Sequence, residues 1–484
     1  MLTAELGAFI ARLDFAALPA PVVATALQGF TDCVGVMLAG SREQVTAAAE
    51  RVLLADQPSG RSTICFGSTR TSAPAAAWIN GTAAHALDYD DVALKGSHPS
   101  AVLVPAILAE AQTLDSSGSE MIAAYVAGYE VWGELIGRDR GNYQRKGWHP
   151  TGIFGALGAA AVCASLRHLD ANAAAHALGI AASQSCGVMS NLGSMVKPMH
   201  PGNAACAGIL AARFAEAGIT ATVDALEHAQ GFLNAISPAG EVDLTAPPTL
   251  PPARWRMIEQ GLSIKQYPVC YRAHRAIDAL LVLLKAHPME PDAVREIRVS
   301  FSRSHAVILK NHRPQDAIAA KFSIEFAMAC ALIAGRVGLR DLADEFVRSE
   351  RVRQLVERVA IDIDPVEEAG TSGYAPSDHV QVTLADGQVL HSDKIRHARG
   401  DPHAPLTTAE MWTKFEDCCA WSGLPLDARA LFDKLQQLDR LDSVSALFGD
   451  PKSPSSPPFS RKEKGSSPLA LRGERSEGGE AGRG

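Results

Sequence analysis

Apolar residues recur at three- and four-residue intervals through most of this chain, the spacing of a buried helix face. The pattern predicts helices over 5–13 and 21–38, the second apolar on more than one face, as in a helix packed on several sides. Pro21 and Pro74 stand where proline suits a first helical turn. The segment 74–88 therefore reads as an Ala-rich helix running into an acidic cluster. Further helices are expected over 101–114, 119–136, 151–166, 171–186 and 203–217, with a short one over 223–234. Almost no period-two alternation precedes residue 262. Beyond Lys265 the character changes. VREIRVSF (294–301) and VAIDI (359–363) alternate as strands do. HVQVTLADGQVLHSDKI gives two more strands around Asp386-Gly387, a hairpin signal. Helices over 272–287, 317–335, 340–346 and 351–358 surround these strands, and 407–422 and 426–448 return to helix. The expected fold is mainly α. It has a large all-helical domain over 1–265, a smaller α+β domain over 266–396 and a helical return over 397–449. The segment 450–484 is Pro, Ser, Gly and charge, with too little apolar surface to order itself, and is expected to be disordered.

Composition narrows the function classes. A chain of 484 residues, 47% hydrophobic, has material for more than one core. A net charge of −8 gives no basic footprint, so no nucleic-acid partner is expected. The N-terminus has Glu5 and no basic segment before an apolar run, unlike a signal peptide. The longest uncharged run, 171–196, is mostly Ala, Gly, Ser and Asn and reads as protein interior rather than a membrane span. The nine cysteines are scattered without a CxxC, and adjacent Cys418 and Cys419 are poor disulfide partners. Reduced thiols and a cytoplasmic location are the expectation.

The candidate chemistry gathers at GTAAHALDYDDVALKGSHPS, 81–100, which holds His85, Asp88, Tyr89, Asp90, Asp91 and His98. Three later stretches carry His or Lys among Gly and Pro: GWHPTGIFGALG, VKPMHPGNAACAG and SIKQYPVCYRAH. The four are expected to line one cleft for acid–base chemistry on a small carboxylate. His98, on a loop before Pro99, is the first candidate for proton transfer, since imidazole titrates near neutrality. Asp88 would orient a cleft histidine; its bland role is a helix-end cap. His149 precedes a helix N-terminus, where it would contact an anion or simply cap. Lys197 lies in a stretch otherwise without charge and reads as an anion anchor, unless a distant acid pairs with it. Lys265 is a second anchor or an interdomain salt bridge. His85, Asp88, Asp91 and His98 also make a possible metal set. Gly152, Gly155 and Gly158 follow no strand, and so read as helix packing rather than a phosphate loop.

GTAAHALDYDD, HPS, GWHPTGIFGALGAA, KPMHPGNAA, KQYP and KFSIEFAMACAL, in that order, resemble the MmgE/PrpD family of 2-methylcitrate dehydratases, cis-aconitate decarboxylases and iminodisuccinate epimerases. The resemblance covers about residues 5–445. It implies a homodimer without cofactor or metal, in which the α+β part is a lid inserted into the helical domain. It places Asp88, His98, His149, Lys197 and Lys265 in the family's cleft. Where the decarboxylase branch carries Thr, His and Tyr, this chain has Val92, Cys270 and Phe326. Cys270 and Phe326 are thus expected on the substrate pocket's wall, in place of polar groups that decarboxylation uses.

The expected activity is that of a 2-methylcitrate dehydratase-like lyase. It would eliminate or add water on a di- or tricarboxylate through Cα proton transfer. An epimerase shares that first step and returns the proton to the other face. A carboxylate-binding protein without catalysis is the remaining class.

Overall fold

The computed structural model describes residues 1–56, 59–367 and 375–448. The expected disordered tail, 450–484, lies outside them. The first part of the chain is helical: α1 Leu2–Arg12, α2 Ala20–Gly40, α3 Gln44–Leu53, α4 Ala73–Ala86, α5 Ser100–Leu114, α6 Gly118–Gly137, α7 Tyr143–Lys146, α8 Pro150–Leu166, α9 Ala171–Gln184 and α10 Met199–Glu216. A two-stranded ribbon of β1 (Ser62–Thr63) and β2 (Arg70–Thr71) precedes α4. Of these, α3, α7 and the ribbon were not expected. Short helices α11 (Phe232–Ile236) and α12 (Arg256–Glu259) follow. The expected helix over 223–234 is instead turns, with Gly231 before α11.

The helix α8 sits at the centre, nearly all of it buried, against α5, α6, α9 and α10. Its glycines allow the close approach. A Cβ on Gly158 would lie 2.9 Å from the Trp132 ring, and one on Gly155 3.0 Å from Val102. Alanine-rich helices bury little side-chain area each, so stability here depends on tight backbone packing, and added methylenes would overpack by about 1–3 kcal/mol. Ser117 and Glu120 form a capping box that starts α6. The apolar α2 is long enough to cross a membrane by length and composition, and 72% of its most apolar 18-residue window is buried in the protein.

From residue 267 a second hydrophobic cluster forms, running from Tyr267 to Val382. The first cluster resumes from Leu406 to Leu447. The second is built on α13 (His274–Ala286) and a four-stranded sheet. Its strands are β3 (Val294–Phe301), β4 (Val359–Ile363), β5 (His379–Leu384) and β6 (Val389–His391), in the order β4-β3-β5-β6. Strand β3 pairs parallel with β4, Ile297 opposite Val359, and antiparallel with β5, Ile297 opposite Val382. The β3–β4 crossover carries α14 (Arg303–Ile308), α15 (Ala317–Ala320), α16 (Ile324–Ala334), α17 (Asp344–Val347) and α18 (Glu350–Val356). The single helix expected over 317–335 is broken. Lys321 gives its carbonyl to the Cys270 amide at 2.9 Å, and the Ser323 hydroxyl caps a new start by accepting from the Phe326 amide. Helices α19 (Thr408–Ser422) and α20 (Ala428–Gln436) close the described chain. The helix expected to 448 ends early, at Gln436, and gives way to single 3-10 turns.

Candidate active site

The chain after α4 turns sharply. Asp88 adopts a left-handed backbone, φ +51°, just past the helix end. Val92 then pairs with Ser263, and Leu94, Lys95 and Gly96 bend back through positive φ into His98 and α5. This turn points three buried acids in different directions, and each has its own task.

Asp90, fully buried, accepts from Nδ1 of His85 at 2.9 Å and lies 3.0 Å from Nδ1 of His98. His98 Nδ1 also reaches the Asp91 carbonyl at 2.9 Å. With Nδ1–H held by these acceptors, Nε2 of His98 carries the lone pair. Burial lowers the His98 pKa against the opposing pull of Asp90, so the ring is neutral at pH 7. His85 is lowered to about 3, again mainly by burial. Asp91 turns away and accepts from the Ser100 amide and hydroxyl. Burial pushes it up to about 8, and its partners make it a structural acid rather than a cleft residue.

Asp88 takes lysines instead of a histidine. Its Oδ1 is 2.7 Å from Nζ of Lys197 and 2.9 Å from Nζ of Lys265. Burial would raise its pKa, but the two ammonium groups win and hold it well below the carboxylate range. Lys265 also donates to the Asp88 carbonyl at 2.6 Å. Two further buried lysines cap the same turn. Lys321 donates to the Ala86 carbonyl at 3.1 Å, and Lys414, from α19, to those of Tyr89 and Lys265 at 2.9 and 2.8 Å. Cations thus meet the carbonyls at a helix C-terminal end, where the backbone dipole is negative. Lys414 also pairs with Asp32 at 2.6 Å.

His149 stands at the N-cap of α8 but makes no side-chain cap. Its Nδ1 lies 2.9 Å from Nδ1 of His200, so the two neutral rings share one proton. Burial, then Lys197, hold His149 well below the usual histidine range. Burial takes His200 to about 4.

Asp88, His98, His149, Lys197, Lys265 and Cys270 line one cleft of about 560 Å³, together with Val92 and Phe322. Phe326 does not. It is fully buried in the second hydrophobic cluster, its ring 6.4 Å from that of Phe346, because the break at 321–323 turns α16 inward. Phe322 takes the wall position, its ring 5.5 Å from Nζ of Lys197. The expectation for Asp88 changes likewise: it pairs with both lysines, and Asp90 is the acid behind the histidines. Lys197 and Lys265 are ion-paired in this structure, not free anchors. Of the alternative metal set, His85, Asp88 and His98 come together with Asp90 in the place of Asp91, which faces Ser100 instead.

Sequence reasoning passed over several cleft residues. Lys95, Arg140, Arg145 and Arg272 also line the cleft, and Asp88 is the one acid among its described lining residues. The signal for Arg140 and Arg145 was the four bases within 138–146, close before GWHP.

The family model of the MmgE/PrpD N-terminal domain matches residues 4–245, and that of the MmgE/PrpD C-terminal domain matches 267–434. The chain is 26% identical over 401 residues to a cis-aconitate decarboxylase of Homo sapiens, covering 79% of this chain and 80% of that protein. It is 25% identical over 476 residues to a cis-aconitate decarboxylase of Aspergillus terreus, covering 92% and 95%.

Proposed function

The chain belongs to the MmgE/PrpD family, and from that premise we propose that it is a lyase acting on a small di- or tricarboxylate by proton transfer at Cα. At family level the relatives support a lyase; the dehydratase chemistry is our reading of the site. One observation carries it: a neutral imidazole, His98, with Nδ1 fixed on Asp90, lines the same cleft as two lysines sharing one carboxylate.

Removing a proton beside a carboxylate builds enolate-like charge, which nearby cations stabilise. Lys197 and Lys265 bear two positive charges against one on Asp88, so a substrate carboxylate completes their neutralisation. His98 Nε2 takes the Cα proton. The C–H electrons form the C=C bond as the Cβ–O bond breaks; His149 Nε2–H donates a hydrogen bond to the departing hydroxyl, which takes up the proton held on His98 and leaves as water. His200 then donates to Nδ1 of His149, the tautomer this role needs. Val92 and Cys270 form apolar or weakly polar walls; burial raises the Cys270 pKa and keeps it a thiol.

A second reading has one specific support. His98 and His149 have ring centroids 6.4 Å apart, a separation that suits a two-base epimerase. Incubation of candidate di- and tricarboxylates in heavy water separates the readings. A rising enoate absorbance at the expected rate supports elimination. Deuterium entering Cα without it supports epimerisation. No exchange with any ligand that raises the melting temperature would refute the proton-transfer reading and favour a binding protein.

A further inference from the structure

His85 plays no part in the chemistry above, yet it is buried within it. Its Nδ1 is held by Asp90, and its Nε2 is buried with no hydrogen-bond partner. An orphaned buried nitrogen costs about 1–3 kcal/mol and calls for an explanation. The neighbours supply one. A ring nitrogen of each of His85, His98 and His149 lies within 4.8 Å of those of the other two. The His85 and His98 rings meet edge to face at 4.3 Å. On all three rings Nδ1 is engaged, by Asp90 for His85 and His98 and by His200 for His149. The nitrogen left over on each ring is Nε2.

Metal-binding histidines have this arrangement: one nitrogen on the ion, the other fixed by a carboxylate or another polar group behind it. Three imidazoles with a fourth position open to a cleft suit Zn²⁺, and also Co²⁺. We propose that His85, His98 and His149 form a binding site for a Zn²⁺-class divalent ion, which shuts the enzyme off by occupying the lone pair of its base. Zinc–nitrogen bonds of about 2.0–2.1 Å put the nitrogens about 3.4 Å apart, inside the 4.8 Å limit within which a ring nitrogen of each now lies, so the rings draw together on the ion. His149 must then donate Nδ1–H to His200, the reverse of its catalytic tautomer. Asp90 sits behind two of the rings as a fixed anion. The ion's own charge is offset by hydroxide or a carboxylate entering from the cleft.

Binding stands apart from the function proposed above; only the inhibition rests on it. The test uses the full chain, stripped with a chelator and titrated with Co²⁺. We expect one ion per chain with the intense visible bands of a four- or five-coordinate site, and X-ray absorption of the wild-type complex showing three imidazoles. The bands should be lost in His98→Gln and His149→Gln. They should survive in His403→Ala, which disables the exposed trio His397, Asp401 and His403. Bands that vanish in His403→Ala, or fewer than three imidazoles on the wild-type ion, would overturn the site. Stoichiometric Zn²⁺ should cut Cα proton exchange at least tenfold, reversibly with chelator. Three imidazoles on the ion with exchange unchanged would refute the inhibitory role, and would also argue against His98 as the base.

Discussion

Replacing Asp90 with asparagine tests the core of the proposed mechanism. The carboxylate is fully buried, lies about 3 Å from Nδ1 of both His85 and His98, and does not line the cleft. When His98 accepts the substrate proton, its ring becomes a cation beside this fixed anion. With charge centres about 4 Å apart and an effective dielectric near 20, the attraction is about 4 kcal/mol. Asparagine removes it while keeping the shape. The proton-transfer step should slow by about a thousandfold, and KM should change little because Asp90 is out of the substrate's reach. The Asn amide can still accept from one ring but turns N–H toward the other, costing about 1–3 kcal/mol of stability. The assay is Cα hydrogen–deuterium exchange by NMR, with kcat and KM for any turnover, on protein whose urea midpoint shows it folded. A folded variant that exchanges within fivefold of the parent would refute Asp90 as the group behind the base.

Asp88→Asn leaves two buried ammonium groups without their carboxylate; we expect a loss of about 3–5 kcal/mol in urea unfolding. Succinate or citrate should raise the melting temperature more in this variant than in the parent, and an equal rise would contradict the anchoring role. Phe326→Ala should cost about 3–5 kcal/mol with KM unchanged, whereas Phe322→Ala should raise KM; steady-state kinetics beside unfolding curves separate the two. Stability should also fall as pH drops. His85 and His274 are lowered to about 3, His200 and His305 to about 4, and His98 and His149 are lowered too. The unfolded chain therefore binds more protons below pH 6.5, and these rings' contribution, complete above that pH, is lost as pH falls toward 4. The buried acids Asp32, Asp91, Glu130 and Asp278, all raised, slope the other way but are fewer. Melting temperatures flat from pH 7 to 5 would contradict the buried, neutral imidazoles.

Much of this was legible in the chain, where local pattern decides structure. Strands 294–301 and 359–363 alternate cleanly, and both form with the expected bounds. The ribbon 62–63 with 70–71 was invisible because two residues hold no period. The break at 321–323 was hidden for another reason. The local sequence suits helix throughout, and the break depends on a bond to Cys270, about fifty residues away. That one hydrogen bond moved the aromatic wall from Phe326 to Phe322. Three acids within four residues, 88–91, announced a site, but which acid meets which cation depends on a left-handed Asp88 and on lysines over a hundred residues later.

The lysines that hold the 86–89 turn carry a consequence for the order of synthesis. Lys265, Lys321 and Lys414 all leave the ribosome long after the carbonyls they cap. A nascent chain ending near residue 260 would own both imidazoles of the proposed reaction and still hold that turn unlatched. Competence should therefore arrive late and all at once, when α19 docks, rather than growing with chain length.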